Sequence, residues 1–361
     1  MLRIAIIGCG KIADQHVLAL RRVADCEVVA VCDREMLMAQ QLAGRFGIAK
    51  TFSDAQEMLK AISPDIVHIT TPPQGHFSLA RQCLESGCHV YLEKPFTVTA
   101  HEAKDLIQLA EGKGLKITAG HNYQFTLEML EMRKLVAQDF LGGKPIHVES
   151  HWSYDLSDTS YVGPILGSQT HWVRQLPGQL FHNLISHGIA KLAEFLGDEV
   201  EISAHAHQSP LLQGLGGQEV QDELRVFIRD QTGTTAFFCF STQIKPGLNS
   251  LRICGPKNSL WVDHASGTLI RNEKQSYKSY LTYFIPPLKS ARQHLKNARK
   301  NVFDFLRGRL HQDSGMKELI EQFYQSVRRK SPPPIPYREI ILTARIMDEI
   351  FTQVYPKNSA K

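Results

Sequence analysis

The apolar positions in the first third of the chain form short, nearly continuous runs separated by segments with helical spacing. These runs cover residues 2–7, 27–32, 66–69, 88–92 and 116–119. Runs that are apolar throughout are typical of strands buried on both faces of a parallel sheet, whereas the longer segments between them have the three- and four-residue spacing of amphipathic helices. Repeated strand and helix units of this length predict a doubly wound α/β domain over residues 1–122.

The pattern changes after residue 122, where apolar and polar residues tend to alternate. We predict strands at residues 146–152, 201–208, 222–229, 234–242, 250–254 and 259–262, and helices at 180–196, 316–327 and 337–351. We also predict a mobile loop at residues 214–217 and disorder after Tyr355. Residues 123–355 are therefore predicted to be an α+β domain with a largely antiparallel open sheet, whose C-terminal helices pack back on the first domain.

Composition places the chain among globular proteins. Of its 361 residues 43% are hydrophobic and 21% are charged, and the net charge of +5 is too small to suggest nucleic acid as a partner. The seven cysteines form no C-x-x-C pair and mostly lie in apolar runs, which predicts buried free thiols rather than disulfides or a metal site. The first strand begins at residue 2 and no apolar run has the length of a membrane span, so we predict a soluble cytoplasmic protein.

Positive charge is concentrated near the end of the chain. Residues 289–309 contain seven Lys or Arg and one acid, Asp304, which is a local charge of +6. Apolar residues recur within residues 288–309 at near-helical spacing, so the segment predicts a basic amphipathic helix. Such a helix can lie on an anionic membrane surface, bind an acidic ligand or have a solvated basic face. We interpret it as a solvated face, with peripheral membrane contact as the less favoured alternative.

A glycine-rich turn follows the first predicted strand and opens a helix. Its residues are Gly8, Cys9, Gly10, Lys11, Ile12 and Ala13. In this G-x-G-x-x-A pattern the first glycine permits a tight turn, the second lets the backbone approach a pyrophosphate, and the small third residue lets helix pack on strand. The helix N-terminus supplies N–H groups and a partial positive charge for the phosphates. The turn therefore predicts a dinucleotide-binding site.

The second predicted strand ends in Asp33, about twenty residues after the glycine pattern. A carboxylate at this position accepts hydrogen bonds from the adenine ribose hydroxyls and repels a 2′-phosphate, which favours NAD. The guanidinium of the neighbouring Arg34 is able to pair with that phosphate, so NADP stays an open alternative.

Polar residues follow three more predicted strands at the same edge of the sheet. They are Thr71, Pro72 and His76 after residues 66–69, Glu93, Lys94 and Pro95 after residues 88–92, and Asn122 after residues 116–119. Ligands of open α/β sheets bind at the carboxyl ends of the strands. We therefore predict a binding site at this edge.

These motifs resemble the family of glucose-fructose oxidoreductase, inositol dehydrogenase and related sugar dehydrogenases. The resemblance spans nearly the whole chain and rests on the turn from Gly8 to Ala13, Thr71 and Pro72 with His76 downstream, the triplet Glu93-Lys94-Pro95, Asn122, and a helix with His187. It implies a Rossmann domain that binds NAD or NADP and a homodimer or homotetramer formed through the C-terminal sheet. It also implies that Lys94 lies beside the nicotinamide and bonds the reacting hydroxyl, and that the Lys94–Pro95 peptide is cis.

In the second domain, Asn183 and His187 lie four residues apart in the predicted helix and so share a helix face. The resemblance implies that His187 is a general acid-base group, but the family usually has an aspartate where this chain has Asn183. An asparagine accepts no proton and lowers the pKa of the histidine relative to a carboxylate neighbour. Trp172 and Arg174 precede the helix and suit a sugar pocket.

The sequence thus leads to the hypothesis of an NAD(P)-dependent enzyme that moves hydride between nicotinamide and a secondary hydroxyl of a sugar, sugar nucleotide or cyclitol. Lys94 and His187 are the predicted catalytic residues. The predicted cofactor-binding residues are Gly8, Gly10, Lys11, Ile12, Ala13, Asp33, Arg34, Thr71, Pro72, His76, Glu93, Lys94 and Asn122, and the predicted substrate-binding residues are Lys94, Asn122, Trp172, Arg174, Asn183 and His187. Two alternatives stay open: a redox-neutral enzyme that holds NAD tightly, as in glycoside cleavage by transient oxidation, and a non-catalytic dinucleotide or sugar sensor.

Overall fold

The computed structural model describes residues 1–156, 159–214, 220–275, 277–310 and 314–356, without the side chains of 159–162 and 314. The predicted loop at 214–217 and the tail predicted after Tyr355 lie largely outside these residues. The chain divides into two compact units. The first comprises Met1–Asn122 and Gly315–Asp348, and the second comprises Tyr123–Ser314 and the residues from Glu349 onward.

The first unit is built on a six-stranded sheet whose paired strands are all parallel. Its strands are β1 (Leu2–Ile7), β2 (Cys26–Cys32), β3 (Lys50–Phe52), β4 (Ile66–Ile69), β5 (His89–Leu92) and β6 (Ile117–Ala119), and its helices are α1 (Lys11–Leu20), α2 (Met36–Phe46), α3 (Ala55–Ile62), α4 (His76–Glu85) and α5 (Ala100–Gly112). The strands lie in the order β3-β2-β1-β4-β5-β6, so the chain builds the sheet outward from β1 on one side and from β4 on the other. This order confirms the predicted α/β class and creates a crevice at the carboxyl ends of the strands.

The second unit is built on a seven-stranded sheet in the order β13-β12-β11-β7-β10-β9-β8. Its strands are β7 (His147–Ser153), β8 (Val200–His207), β9 (Glu223–Asp230), β10 (Thr235–Ser241), β11 (Ser250–Cys254), β12 (Asn258–Asp263) and β13 (Thr268–Glu273), and its helices are α6 (Leu127–Ala137), α7 (Thr159–Gly167), α8 (Gln179–Leu184), α9 (Ser186–Ala193), α10 (Pro210–Gly214) and α11 (Leu281–Leu306). Only β7 and β10 pair in parallel, so the predicted largely antiparallel sheet is confirmed. The edge strand β13 was not predicted.

The helix predicted at residues 180–196 is two helices, because the chain bends at Ile185 between α8 and α9. Helix α9 packs closely on the second sheet. A Cβ atom on Gly188 would lie 2.3 Å from Cε2 of Phe238, and the Ser150 hydroxyl donates a hydrogen bond to the Gly188 carbonyl at 3.1 Å. Glycine at this position therefore sets the distance between α9 and the sheet.

Two C-terminal helices, α12 (Ser314–Arg329) and α13 (Tyr337–Val354), follow the second sheet. The Tyr324 hydroxyl of α12 lies 2.7 Å from His68 of β4, and Arg328 donates hydrogen bonds to the carbonyls of Ala24 and Asp25. Helix α12 thus completes the core of the first unit.

All seven cysteines are free thiols, and burial raises the pKa of Cys9 and Cys32 to about 12. None of the helices in the described part of the chain has the length and apolarity needed to cross a membrane. Across the same described ranges, no group of three or more His, Cys, Asp or Glu side chains is arranged to hold a metal ion.

Candidate active site

The glycine turn has the conformation that a dinucleotide-binding loop needs. Gly8 has a φ of +96°, and a Cβ atom there would lie 2.8 Å from the Thr70 carbonyl carbon and from Cγ2 of Thr71. Gly10 is extended at the N-terminus of α1, where an added Cβ would meet no atom within 4 Å and no side chain caps the helix. Ala13 is fully buried. The space before α1 is therefore free for a phosphate group, with the helix dipole pointing at it.

Asp33 is held beside this turn by two main-chain hydrogen bonds. Its Oδ2 accepts from the Cys9 N–H at 2.7 Å, and its Oδ1 accepts from the Glu35 N–H at 3.0 Å. The carboxylate is partly exposed and Arg34 is exposed. The geometry fits a ribose-binding carboxylate at the end of β2, while both cofactor alternatives stay open.

Glu93, at the end of β5, is buried at 6% exposure and ends a hydrogen-bonded chain of side chains. Its Oε1 lies 2.9 Å from Nε2 of His16, whose Nδ1 lies 2.8 Å from Nδ1 of His68, and Nε2 of His68 meets the Tyr324 hydroxyl. Burial alone would raise the pKa of Glu93, but the hydrogen bond and charge of His16, with Lys94, lower it overall. An ionised carboxylate only accepts hydrogen bonds, so His16 donates from Nε2 to Glu93, and the chain continues through His68 to the Tyr324 hydroxyl.

Lys94 follows Glu93 at the mouth of the crevice and is partly exposed. Its N–H donates to Oε2 of Glu93 at 3.1 Å, and the Lys94–Pro95 peptide is cis, as the resemblance implied. Desolvation lowers the pKa of the Lys94 ammonium, and the charge of Glu93 opposes that shift. Gly120 makes room for this arrangement, because a Cβ there would lie 2.8 Å from Oε1 of Glu93. The amine is thus closer to losing its proton than an exposed lysine.

His76 is buried and clamps two loops of the crevice together. Its Nε2 lies 2.8 Å from the Thr71 carbonyl and its Nδ1 lies 2.9 Å from the Pro95 carbonyl. Both ring nitrogens therefore face main-chain oxygen atoms, and the side chain positions the loops that follow β4 and β5. Pro72 is exposed beside this clamp.

Two polar atoms at the same edge are buried without a hydrogen-bond partner among the described residues, Oγ1 of Thr71 and Oδ1 of Asn122. Buried polar groups are usually satisfied, and these two oxygen atoms are able to bond a ligand in the crevice. With the glycine turn and Asp33, they fit a bound dinucleotide.

The second unit has its own cluster of aromatic and titratable side chains, centred on Tyr123. The Tyr123 ring lies 4.6 Å from Trp152, 4.9 Å from His187 and 5.5 Å from His264, measured between ring centroids. His187 is 8% exposed at the start of α9. Asn183 lies on α8, before the bend at Ile185, so the two residues do not share one regular helix face as the sequence predicted.

Lys191 is the residue that does share a regular helix face with His187, four positions later in α9, and sequence reasoning missed it. It is 0% exposed, its Nζ has no hydrogen-bond partner among the described residues, and it lies 5.1 Å from the centre of the Trp152 ring. Burial lowers its pKa to about 7, although the charge of Glu128 opposes the shift. The four-residue spacing was the available signal, but a lysine inside an apolar helix is normally interpreted as reaching solvent.

His264 completes the cluster. Its Nδ1 lies 2.8 Å from Oε1 of Glu128, and its Nε2 is buried without a hydrogen-bond partner among the described residues. Burial, reinforced by the charge of Lys191, lowers the pKa of His264 to about 4. The neutral ring donates from Nδ1 to the carboxylate and leaves Nε2 as an acceptor. The predicted substrate residues Trp172 and Arg174 lie in a short turn before α8, where Trp172 contacts His171.

Comparison with known proteins gives a family match for the first third of the chain. Residues 2–121 match the model of an oxidoreductase family with an NAD-binding Rossmann fold. The match covers the glycine turn, Asp33, Glu93 and Lys94. The resemblance found in the sequence is thereby confirmed, and the first unit is an NAD-binding Rossmann domain of the oxidoreductase type.

Individual relatives extend the comparison. The chain is 37% identical to D-glucoside 3-dehydrogenase of Escherichia coli strain K12 over 142 residues, 39% of this chain and 40% of that protein. It spans between 38% and 60% of the lengths of the first three curated relatives it matches.

Solved structures match over nearly the full chain. An NAD-binding oxidoreductase from Klebsiella pneumoniae has a TM-score of 0.78 at 19% identity, covering 98% of this chain and 96% of that one. The WlbA dehydrogenase of Bordetella pertussis, solved with NADH and UDP-GlcNAcA, has a TM-score of 0.76 at 18% identity, covering 98% and 95%. At these identities the likeness establishes the fold.

Proposed function

We propose that the protein is an NAD(P)-dependent dehydrogenase that oxidises a secondary hydroxyl of a sugar-type substrate, or reduces the corresponding ketone. The observation that carries the proposal is Lys94, a lysine of lowered pKa at the mouth of a dinucleotide-binding crevice, held beside a buried ionised carboxylate. A bound nicotinamide supplies the hydride acceptor or donor for this chemistry. Lys94 holds the reacting oxygen by a hydrogen bond and takes up or returns its proton.

The residues around Lys94 serve binding and position. Gly8, Gly10 and the first residues of α1 (Lys11, Ile12 and Ala13) hold the phosphates, and Asp33 with Arg34 holds the adenine ribose. Thr71 and Asn122 offer buried oxygen atoms that lack partners in the described chain. Glu93 is fixed by His16 and so keeps Lys94 in place rather than exchanging protons with the substrate.

We assign substrate recognition and the second proton-handling role to the cluster of the second unit. Lys191 presents a donor and His264 an acceptor, neither of them satisfied by the described residues. A sugar hydroxyl both donates and accepts, so it complements this pair. His187 is the second proton-handling residue in this proposal, with Asn183, Trp172 and Arg174 as further contacts to the substrate.

The substrate class follows from chemistry and from the relatives. Trp152 and Tyr123 provide the aromatic faces on which pyranose rings pack. One relative is named for oxidation of a D-glucoside at position 3, and one structural neighbour was solved with a nucleotide sugar. We therefore propose glucosides as the first substrates to test, followed by nucleotide sugars and cyclitols.

The proposal is tested by incubating purified protein with NAD or NADP and each compound while following absorbance of the reduced ring. We expect reduced cofactor to form with at least one glycoside or nucleotide sugar, and to be lost in both Lys94→Met and His187→Ala. Turnover that is unchanged in both variants, with cofactor still bound, would refute the chemistry. Exchange of substrate carbon-bound hydrogen without net reduced cofactor would instead establish the redox-neutral enzyme.

Cofactor choice has its own measurement. The carboxylate of Asp33 disfavours a 2′-phosphate, so NAD is expected to bind at least about tenfold tighter than NADP, a difference of about 1.4 kcal/mol. Titration of each cofactor by calorimetry checks this. Tighter binding of NADP would mean that Arg34 dominates over Asp33.

A further inference from the structure

Helix α11 covers the exposed edge of the second sheet with polar side chains. The amide of Gln293 accepts a hydrogen bond from the Arg271 N–H at 2.9 Å and donates to the Arg271 carbonyl at 3.0 Å. Asn297 makes the same pair of contacts with Leu269, and Asn301 donates to the Ser266 carbonyl at 2.9 Å. The amides of Gln293 and Asn297 satisfy free main-chain groups of β13, and Asn301 bonds the turn before it. Covering an edge strand in this way is a common means of protecting it.

The opposite side of α11 is apolar and exposed. We define the outward face as Leu281, Phe284, Leu288, Leu295, Val302 and Phe305, which are exposed at 49%, 62%, 70%, 68%, 60% and 67%. Leu281, Leu288, Leu295 and Val302 recur every seven residues, so they line one side of the helix along its whole length. A surface helix normally buries this stripe against its own core. Here the polar side packs on the protein and the apolar side does not.

Exposed cations accompany the outward face. Lys289, Arg292, Lys296 and Arg299 are all exposed along the same helix. The single acid in residues 281–306 is Asp304, which is 1% exposed and ion-paired with Lys300 and Arg309. The helix therefore presents apolar surface and positive charge with no exposed negative charge of its own.

This charge distribution favours an anionic bilayer over a second copy of the helix as the surface that covers the outward face. A second copy of the helix would bring Lys and Arg against Lys and Arg with no acid to compensate. An anionic bilayer takes up both features, because the apolar stripe enters the boundary of the acyl chains while long basic side chains reach the headgroup phosphates. Tyr280 and Tyr283, exposed at 71% and 74% near the start of the helix, are residues that favour such an interface.

We propose that the outward face of α11 docks on an anionic phospholipid surface. The sequence favoured a solvated basic face, with membrane contact as the alternative. In the structure Gln293, Asn297 and Asn301 make the packing contacts and the apolar stripe faces outward, which favours the alternative.

The test is flotation of the purified full chain with vesicles of about 30% phosphatidylserine in phosphatidylcholine, and with vesicles of phosphatidylcholine alone. The wild type is expected to bind the anionic vesicles at least about tenfold more strongly, and to lose most of this binding at about 0.5 M salt. Leu288→Glu/Leu295→Glu is expected to lower binding at least about tenfold. The matched control, Leu37→Glu at a position exposed at 64% in the first unit, is expected to bind as the wild type does.

A second variant keeps the test independent of the apolar substitutions. Arg292→Gln/Arg299→Gln leaves the outward face intact and is expected to weaken binding to anionic vesicles severalfold. Equal binding of wild type to both kinds of vesicle, or unchanged binding of both double variants, would overturn the proposal. A lower oligomer mass in Leu288→Glu/Leu295→Glu by light scattering would also overturn it, because a second copy would then cover the face.

Discussion

Two buried charges of opposite sign, Glu93 in the first unit and Lys191 in the second, have very different surroundings. Glu93 accepts hydrogen bonds from His16 and from the Lys94 main chain. Lys191 is fully buried over Trp152, and its ammonium has no hydrogen-bond partner in the part of the chain described. A buried charge with satisfied hydrogen bonds is a fixed structural element, whereas one without them retains unmet bonding capacity.

This difference in hydrogen bonding indicates which side chains of each unit are available for function. In the first unit the satisfied carboxylate is an anchor, and the chemistry falls to the neighbouring lysine at the crevice. In the second unit the unsatisfied groups themselves, Lys191 and Nε2 of His264, are the candidates for contact with a substrate. Clusters of perturbed titratable groups are frequent at functional sites.

The largest expected effect comes from the lysine that Glu93 anchors. Lys94→Met is expected to lower turnover by about 10³-fold, because a proton-handling group of lowered pKa is lost, while cofactor affinity changes little. Steady-state kinetics with the best substrate, together with a cofactor titration, measures both quantities. Lys104→Met, at an exposed lysine in α5, is the matched control. Equal losses in the two variants would remove the special role of Lys94.

His16→Leu removes the hydrogen bond that holds the Glu93 carboxylate. This change leaves the buried carboxylate of Glu93 without its main partner, and is expected to lower the free energy of unfolding by about 3 kcal/mol. Urea unfolding of the variant against wild type measures the change. His101→Leu, at a histidine whose side chain is 84% exposed, should stay within about 0.5 kcal/mol. A similarly small effect of His16→Leu would mean that Glu93 is not held as described.

Lys191→Met is expected to change the free energy of unfolding in the opposite direction to His16→Leu. Replacing a buried, unsatisfied ammonium by an apolar side chain of similar length is expected to raise the free energy of unfolding by about 1–2 kcal/mol at pH 7. Turnover is expected to fall by about tenfold or more, since a substrate contact is removed. Unfolding and kinetics are measured on the same preparation. Loss of stability in this variant would show that Lys191 is satisfied in solution.

The difference in stability between wild type and Lys191→Met also depends on pH. The folded-state pKa of Lys191 is about 7, lowered by burial from the ordinary lysine value of 10.5, so between these values the unfolded chain binds more protons than the folded one. Wild-type stability therefore rises with pH in this window by up to about 1.4 kcal/mol per pH unit, an increase that Lys191→Met lacks. Parallel urea curves at pH 7, 8 and 9, chosen inside the window, measure it. A constant difference between the two proteins would contradict the lowered pKa.

The parts of the fold that were predictable depend on local patterns. Apolar runs followed by Gly8 or Asp33 place a turn or a carboxylate at the end of a strand, and parallel strands bring those ends to one edge. The bend at Ile185 was missed because it interrupts no apolar pattern. The edge strand β13 was missed because its three buried residues are followed by Arg, Asn and Glu, without the alternation of a strand.

The site was predictable to the same extent. Lys94 and His187 stand in recognisable contexts, but His16 and His68 are 52 positions apart, and His68 and Tyr324 are 256 apart. No local pattern connects residues at such separations, so the hydrogen-bonded chain behind Glu93 is visible only in the folded protein.

The amino-acid sequence by itself determined the Rossmann domain, the position of the dinucleotide turn and the lysine at the crevice, because each depends on residues that are neighbours along the chain. Tertiary structure alone decided which buried charges are satisfied and which side of α11 faces the protein. The apolar stripe of α11 is plain in the sequence, but whether it is buried depends on what lies beside it. Here the edge of β13 binds the amides of the helix, and the stripe is left facing outward.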